Sequence, residues 1–172
     1  MRMLEWVRFT WDLNDLPTEP VRKEPRFRVR PAERGERANT VLLIKRAFAM
    51  DSDWLDGQIE AFQWIDPQLT KAFEQKEVPC LLLCDGQRAV GASLLDLDAE
   101  SESHLLTGPC ISSEYRNRKL GTLLFDASLR HLKELGMGRV HAIAKKRCTA
   151  TRYLYPRYGA QIRDYHVAKA EA

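Results

Sequence analysis

The segment from Ile111 to Thr122, ISSEYRNRKLGT, sets Arg116, Arg118 and Lys119 where a β-type apolar run gives way to a long amphipathic helix. The first amides of a helix have no partner within it and carry partial positive charge, so anions gather there. Three cationic side chains on the same turn add full charges, and the chemistry implied is the holding of a phosphate. Lys145, Lys146, Arg147, Arg152 and Arg157 fall in the same third of the chain, although the net charge is only +3. The distribution of charge therefore says more than its sum. The cysteines, Cys80, Cys84, Cys110 and Cys148, lack the paired spacing of a zinc site. We expect no metal and read them as reduced, structural thiols.

Several elements must position this loop. Residues 4 to 13 put Val7, Phe9, Trp11 and Leu13 on one face of an added N-terminal strand. Residues 14 to 25 hold three prolines and several charges and read as an extended surface connector. A short strand follows at Phe27 to Pro31, then a helix over about 36 to 49 and a second helix capped by Asp53, with Leu55, Ile59 and Phe62 on one side. Cys80 to Cys84 and Ala89 to Leu95 flank Asp85-Gly86 and read as a hairpin with a type I′-like turn. Leu105 to Ile111 is a third strand, bent at Gly108-Pro109. The helix from Leu120 stops at Gly136, and Val140 to Ala144 returns as a strand beside the previous one, a crossover implying a parallel pair. The phosphate loop then lies at the carboxyl end of a strand, where anions bind in such units.

At 172 residues the chain is long enough for one domain with its own core. A hydrophobic fraction of 44% and a charged fraction of 30% are those of a soluble protein. No apolar run approaches the roughly 20 residues a bilayer requires, and the N-terminus has no continuous apolar h-region. The expectation is a cytoplasmic protein without membrane contact. Nucleic acid is not an expected partner, since no aromatics interleave with the basic residues.

Over about residues 27 to 168 the sequence resembles the GNAT superfamily of acetyl-CoA-dependent N-acyltransferases. The family's loop reads Arg/Gln-x-x-Gly-x-Gly/Ala; Arg116 and Gly121 match its first and last positions, and Lys119 replaces the first glycine. Downstream, the family's Asn-x-x-Ala-x-x-Leu-Tyr followed by Gly-Phe falls on Cys148, Thr151, Leu154, Tyr155, Gly159 and Ala160, of which Leu154, Tyr155 and Gly159 match. The resemblance implies an α/β (α+β) fold with a mixed, mainly antiparallel central sheet, flanking helices and a splayed parallel strand pair forming the CoA cleft. Residues 1–25 would then be an extra strand and connector, and 26–172 the acyltransferase domain.

By the same resemblance, main-chain groups around Cys110 and Ile111 pair with the pantetheine arm of acetyl-CoA. The turn of Arg116, Asn117, Arg118, Lys119, Leu120, Gly121 and Thr122 holds the pyrophosphate, with Lys145, Lys146 and Arg147 in reach or merely solvated. Cys148 stands where an asparagine amide would meet the cofactor, and a thiol is a weaker partner. Tyr155 protonates the departing CoA thiolate, unless it is simply packed against the sheet beside Tyr153 and Tyr158; the Pro156 that follows it would end or kink the helix and aim the phenol. The acceptor would be a small-molecule or peptide primary amine attacking the thioester directly in a ternary complex. His104, Glu102, Asp96 and Asp98 are candidate bases, although polar residues at hairpin ends are ordinary. Trp54, Phe62 and Trp64 line the acceptor side or belong to the core, with the core favoured. A lysine in place of the first glycine costs strain or changes the turn, which keeps open a CoA-binding or regulatory module with weak turnover. The alternating strand at 4 to 13 also leaves open a homodimer, if it adds to a neighbour's sheet rather than its own.

Overall fold

A computed structural model of the chain describes residues 5–21 and 24–166. Residue 4 of the expected first strand, residues 22 and 23 of the connector and residues 167–172 lie outside the described residues. The strands are β1 (Trp6–Asp12), β2 (Phe27–Pro31), β3 (Cys80–Asp85), β4 (Arg88–Leu94), β5 (Cys110–Ile111), β6 (Arg139–Lys145) and β7 (Gln161–Tyr165). The α-helices are α1 (Arg37–Ala49), α2 (Gln58–Glu74) and α3 (Leu120–Glu134). Two antiparallel sheets form, with orders β2-β3-β4-β5 and β6-β1-β7.

The apolar run of β3 is continuous because both of its faces are covered. Leu81 and Leu83 enter a core shared with Leu124, Phe125 and Leu129 of α3. Cys80, Leu82 and Cys84 enter a second core with Ile44 and Phe48 of α1 and Ile65 and Leu69 of α2. The hairpin carries a two-residue loop, Gly86-Gln87, between the paired Asp85 and Arg88. Only Gly86 has a positive φ there, at 59°, which is the II′ pattern rather than the expected I′. Gly91 of β4 is required by packing: a Cβ on it would lie 2.8 Å from Ile111 Cδ1 and 3.1 Å from Leu83 Cβ.

Helix α2 starts later than its apolar spacing suggested. Asp51 caps a short 3₁₀ turn, Ser52–Trp54, by accepting from the Asp53 amide at 2.9 Å, and the helix begins only at Gln58 and runs through Pro67. Its buried residues are Ile65, Leu69, Ala72 and Phe73, while Leu55 and Ile59 stand in solvent. The N-terminal strand is internal: β1 lies between β6 and β7, antiparallel to both, and buries Val7, Phe9 and Trp11. The connector behind it is fixed to α3, since Arg130 donates to the carbonyls of Pro17 at 2.8 Å and Glu19 at 3.1 Å.

The two sheets meet at one point. The amide of His104 donates to the His141 carbonyl at 2.8 Å, and His104 Nδ1 accepts the His141 amide at 2.9 Å. Leu105 bridges to Leu95 of the first sheet. Beyond Leu105, and past the bend at Gly108-Pro109, no ladder joins β5 to β6 among the described residues, so the expected paired strands are already splayed. Because Nδ1 is an acceptor, the neutral His104 ring carries its proton on Nε2, which is buried and has no protein partner.

That junction carries a pH dependence. Burial lowers the pKa of His104 against the raising effect of Asp96 and Asp98, and burial also lowers His141, with Arg8 adding to it. An unfolded histidine titrates near about 6.5. As pH falls below that value the unfolded chain takes up protons the folded chain does not, so stability is full above about 6.5 and declines toward the lowered folded values. The urea midpoint is expected to drop between about pH 7.5 and pH 5. A midpoint that stays level in the wild type would remove the junction histidines from the account.

Candidate active site

The splay opens a cleft of about 1060 Å³. One wall is β5 with Thr107 to Ile111, a second is the start of α3, a third is the end of β6 with Cys148 to Tyr155, and the last is Phe48 to Ile65 from α1 and α2. Of the residues singled out by the sequence, Cys110, Ile111, Arg116, Asn117, Lys119, Leu120, Gly121, Thr122, Cys148 and Tyr155 all line it. Arg118 does not: its guanidinium lies 5.3 Å from the Tyr115 ring centroid and 3.4 Å from the Glu114 carbonyl.

The turn at 116 to 122 leaves amides free at a helix start, the geometry an anion requires. The first helical bond of α3 joins the Leu123 amide to the Lys119 carbonyl at 3.2 Å. The amides of Leu120, Gly121 and Thr122 come before it and point out of the helix end. A Cβ on Gly121 would meet only Ile111 Cγ1, at 4.0 Å, so the protein's own packing leaves the space over the turn free for a ligand. Lys119 is the N-cap and is left-handed, with φ 60° and ψ 15°, and Asn117 has φ 62°. The lysine has therefore not changed the turn. It adopts the glycine-like conformation, at a cost of about 1–2 kcal/mol.

This gives the lysine question a definite answer to test. Lys119→Gly is expected to stabilise the fold by about 0.5–1 kcal/mol, the relief of left-handed strain less the entropy of glycine. If the turn holds the pyrophosphate of acetyl-CoA, as the resemblance implies, the same change is expected to weaken that binding about 2- to 5-fold, because the turn already exists and only an exposed charge is lost. Urea unfolding and calorimetric titration read the two effects, and tighter binding by the glycine variant would show that the lysine distorts the turn.

Arg116 is not free to grip phosphate with its whole guanidinium. It donates from Nε to the Ile111 carbonyl at 3.2 Å, and from its terminal nitrogens to Met50 at 3.0 Å and Ala47 at 2.7 Å. The Ala47 and Met50 carbonyls end α1, so the arginine ties that helix to the turn at 116 to 122. Cys148 is buried and its Sγ lies 3.0 Å from Thr151 Oγ1, which turns the thiol inward. Burial pushes the Cys80 and Cys110 thiols up to about 12, and all the cysteines are unpaired. Within the basic cluster, Lys145 is buried and lines the cleft, while Lys146 faces Glu5 at 3.7 Å and Asp164 at 3.5 Å. Among the described residues no three His, Cys, Asp or Glu side chains are grouped to hold a metal ion.

Tyr155 sits where a π-helical turn, Ala150–Leu154, passes into a 3₁₀ turn, Tyr155–Tyr158. Its backbone stays right-handed, with φ −61° and ψ −37°, so Pro156 changes the type of helix rather than the conformation of the tyrosine. Phe9, Trp11 and Phe125 surround its ring with centroids 5.2, 5.3 and 5.2 Å away. The hydroxyl lies against Gly108, whose φ is 63°, and any Cβ at that position would collide with it. No protein group among the described residues hydrogen-bonds the hydroxyl, and burial raises its pKa above the ordinary tyrosine value, with Cys148 and Cys110 adding to the shift. Tyr153 lines the cleft too, whereas the Tyr158 hydroxyl donates to Asp126 at 2.9 Å.

The candidate bases stand elsewhere. His104 is locked in the sheet junction, Glu102 accepts from the Tyr165 hydroxyl at 2.7 Å, and Asp96 and Asp98 organise their own turn. The carboxylates lining the cleft are Asp51, Asp53 and Glu60. Asp53 accepts from the Thr149 amide and hydroxyl, both at 2.7 Å, and its carbonyl accepts from Lys145 Nζ at 3.1 Å. No local pattern announces that clasp, but Trp6 had a signal: it is out of phase with Val7, Phe9 and Trp11 and so points away from the core into the cleft.

The model of the Acetyltransferase (GNAT) family matches residues 44–160, which contain every wall of this cleft except Trp6 and Tyr165. The chain belongs to the GNAT family. Solved structures share the fold at low identity. A GCN5-related N-acetyltransferase from Sphaerobacter thermophilus is 17% identical with a TM-score of 0.64, covering 95% of this chain and 50% of its own. One from Kribbella flavida is 13% identical with a TM-score of 0.57, over 93% and 55%. A tandem GNAT protein from the clavulanic acid biosynthesis pathway is 11% identical with a TM-score of 0.60, over 95% and 52%. This chain thus spans about half the length of the solved relatives it resembles. No curated protein matches it in sequence.

Proposed function

We propose that this GNAT chain transfers the acetyl group of acetyl-CoA to a primary amine by direct attack in a ternary complex. The observation that carries the reading is Tyr155, a residue 3% exposed whose hydroxyl bonds no protein group among the described residues, lining the same cleft as the amide-rich turn at 120 to 122. The amine nitrogen adds to the thioester carbonyl, the carbon–sulfur bond breaks, and Tyr155 gives its proton to the departing thiolate. The nitrogen loses one proton to water or to a cleft carboxylate and the tyrosinate takes one back from water, so the net products are an amide and free CoA with Tyr155 restored. Amides of Leu120, Gly121 and Thr122 hold the pyrophosphate and the open edge of β5 meets the pantetheine arm. No helix among the described residues is long and apolar enough to cross a membrane. We place the reaction in the cytoplasm, where four unpaired cysteines are at home.

The test is calorimetric titration with acetyl-CoA followed by an assay of CoA release with amines. Saturable binding and amine-dependent release support the proposal. Binding without release from any amine would favour a CoA-binding module, and absence of binding would end both readings.

A further inference from the structure

Resting on that reading of the cleft, we infer that the acceptor is a small-molecule primary amine carried on an apolar or aromatic body. Several large side chains left in solvent line the cleft or neighbour residues that do. Met50 is 64% exposed, Leu55 68%, Ile59 71%, Trp64 47% and Tyr153 64%. Met50, Trp64 and Tyr153 line the cleft itself, while Leu55, which ends the Ser52–Trp54 turn, and Ile59, in the first turn of α2, adjoin the lining residues Trp54 and Glu60. The core makes no use of Ile59 and Trp64, since α2 buries Ile65, Leu69, Ala72 and Phe73 instead. Apolar area kept in water costs about 25 cal/mol per Å², and a patch rimming a cavity marks a binding surface.

Inside the rim the wall is aromatic. Trp6 and Trp54 lie 6.1 Å apart, and Phe48 packs edge-on to Trp54 at 4.9 Å. Charge sorts the ligand further. Residues 51 to 60 contain Asp51, Asp53, Asp56 and Glu60 and no basic residue, an acidic lip that draws in a cationic amine. Within the cleft, Lys145 sits with Nζ 4.3 Å from the Trp54 centroid, and Arg157 also lines the wall. A second ammonium on the acceptor would meet those cations, so polyamines are disfavoured. A hydroxyl-rich amine would leave the tryptophans and the rim wet. The bonds from Asp53 to Thr149 and Lys145 strap the α1–α2 segment to the end of β6, which suits a small molecule better than a peptide threaded across the opening.

The experiment compares tryptamine, phenethylamine and hexylamine with spermidine, glucosamine and a short peptide with leucine at its N-terminus. Wild-type protein is used at one pH, and each amine is compared by its free-base concentration. CoA release gives kcat/KM, and calorimetric titration of each amine into the CoA-saturated protein gives affinity without turnover. The expected result is at least a 10-fold preference for the apolar amines in both, falling by 3-fold or more in Ile59→Ser, a solvent-exposed site where the fold is retained. Preference for spermidine, glucosamine or the peptide overturns the inference while leaving acetyl transfer intact. Apolar amines that bind selectively without any CoA release uphold the inference and overturn the transfer reading, and failure of every amine to bind overturns the inference.

Discussion

Tyr155→Phe is expected to lower kcat by about 10²-fold or more while leaving KM for acetyl-CoA nearly unchanged, the pattern of a group that acts only in the transition state. The substitution removes one oxygen from a ring held by Phe9, Trp11 and Phe125, so the packing that seats the side chain survives. That oxygen makes no protein hydrogen bond among the described residues, and its loss leaves no stranded partner. Stability should therefore be almost unaffected. Because burial raises the phenol's pKa, the wild-type residue keeps its proton throughout the neutral and mildly alkaline range. Tyr155 then contributes no alkaline loss of rate there, and an alkaline limb that disappears in the phenylalanine variant would contradict the burial argument. Steady-state CoA release with a saturating amine decides the main point. An unchanged kcat would make Tyr155 a packing residue and move proton donation elsewhere.

What could be read from the chain alone follows the range of the interactions involved. The turn at 116 to 122 was legible because its determinants are local: basic residues, a glycine and the start of an amphipathic period. Even the departure at Lys119 was readable as a conformational question, which the left-handed N-cap answers. The bend at Gly108-Pro109 was local too, though not its use, since the bare glycine makes room for a hydroxyl 47 residues later in the chain, at Tyr155. Arg116 was legible as a charge but not as a strut, because its acceptors are the carbonyls of Ala47 and Met50 in another element. The spacing of Leu55, Ile59 and Phe62 misplaced the start of α2, because Leu55 precedes the helix and both it and Ile59 stand in solvent rather than on the packed face. Trp64, favoured as core, is exposed as well and lines the cleft. Under the proposed reading of the cleft, these deviations fall where a surface is kept apolar for a ligand rather than for the fold.

The position of β1 was the hardest feature to anticipate, and it leads to the largest stability effect. Trp11→Ala is expected to destabilise the protein by about 3–5 kcal/mol, as for other fully buried tryptophans, against a total that for single domains is about 5–15 kcal/mol. Trp11 has no exposed surface, and its ring meets Phe9 at 5.8 Å, Phe125 at 5.4 Å and Tyr155 at 5.3 Å. Its Nε1 also donates to the Tyr155 carbonyl at 3.2 Å. The residue thus does two things: it fills the core between the inner sheet and α3, and it pins the backbone that carries the candidate acid. Trp11→Phe separates them, since it keeps an aromatic in place but removes the side-chain hydrogen bond to the Tyr155 carbonyl, which costs about 0.5–1.5 kcal/mol. Urea unfolding orders the three proteins, and kcat on the folded phenylalanine variant reports the pin. A loss below about 1 kcal/mol for Trp11→Ala would mean that the cavity collapses and that β1 is a loose addition. A full loss, with kcat reduced in Trp11→Phe, would mean that a strand from the far end of the chain, inserted between β6 and β7, is what holds the phenol at the splay.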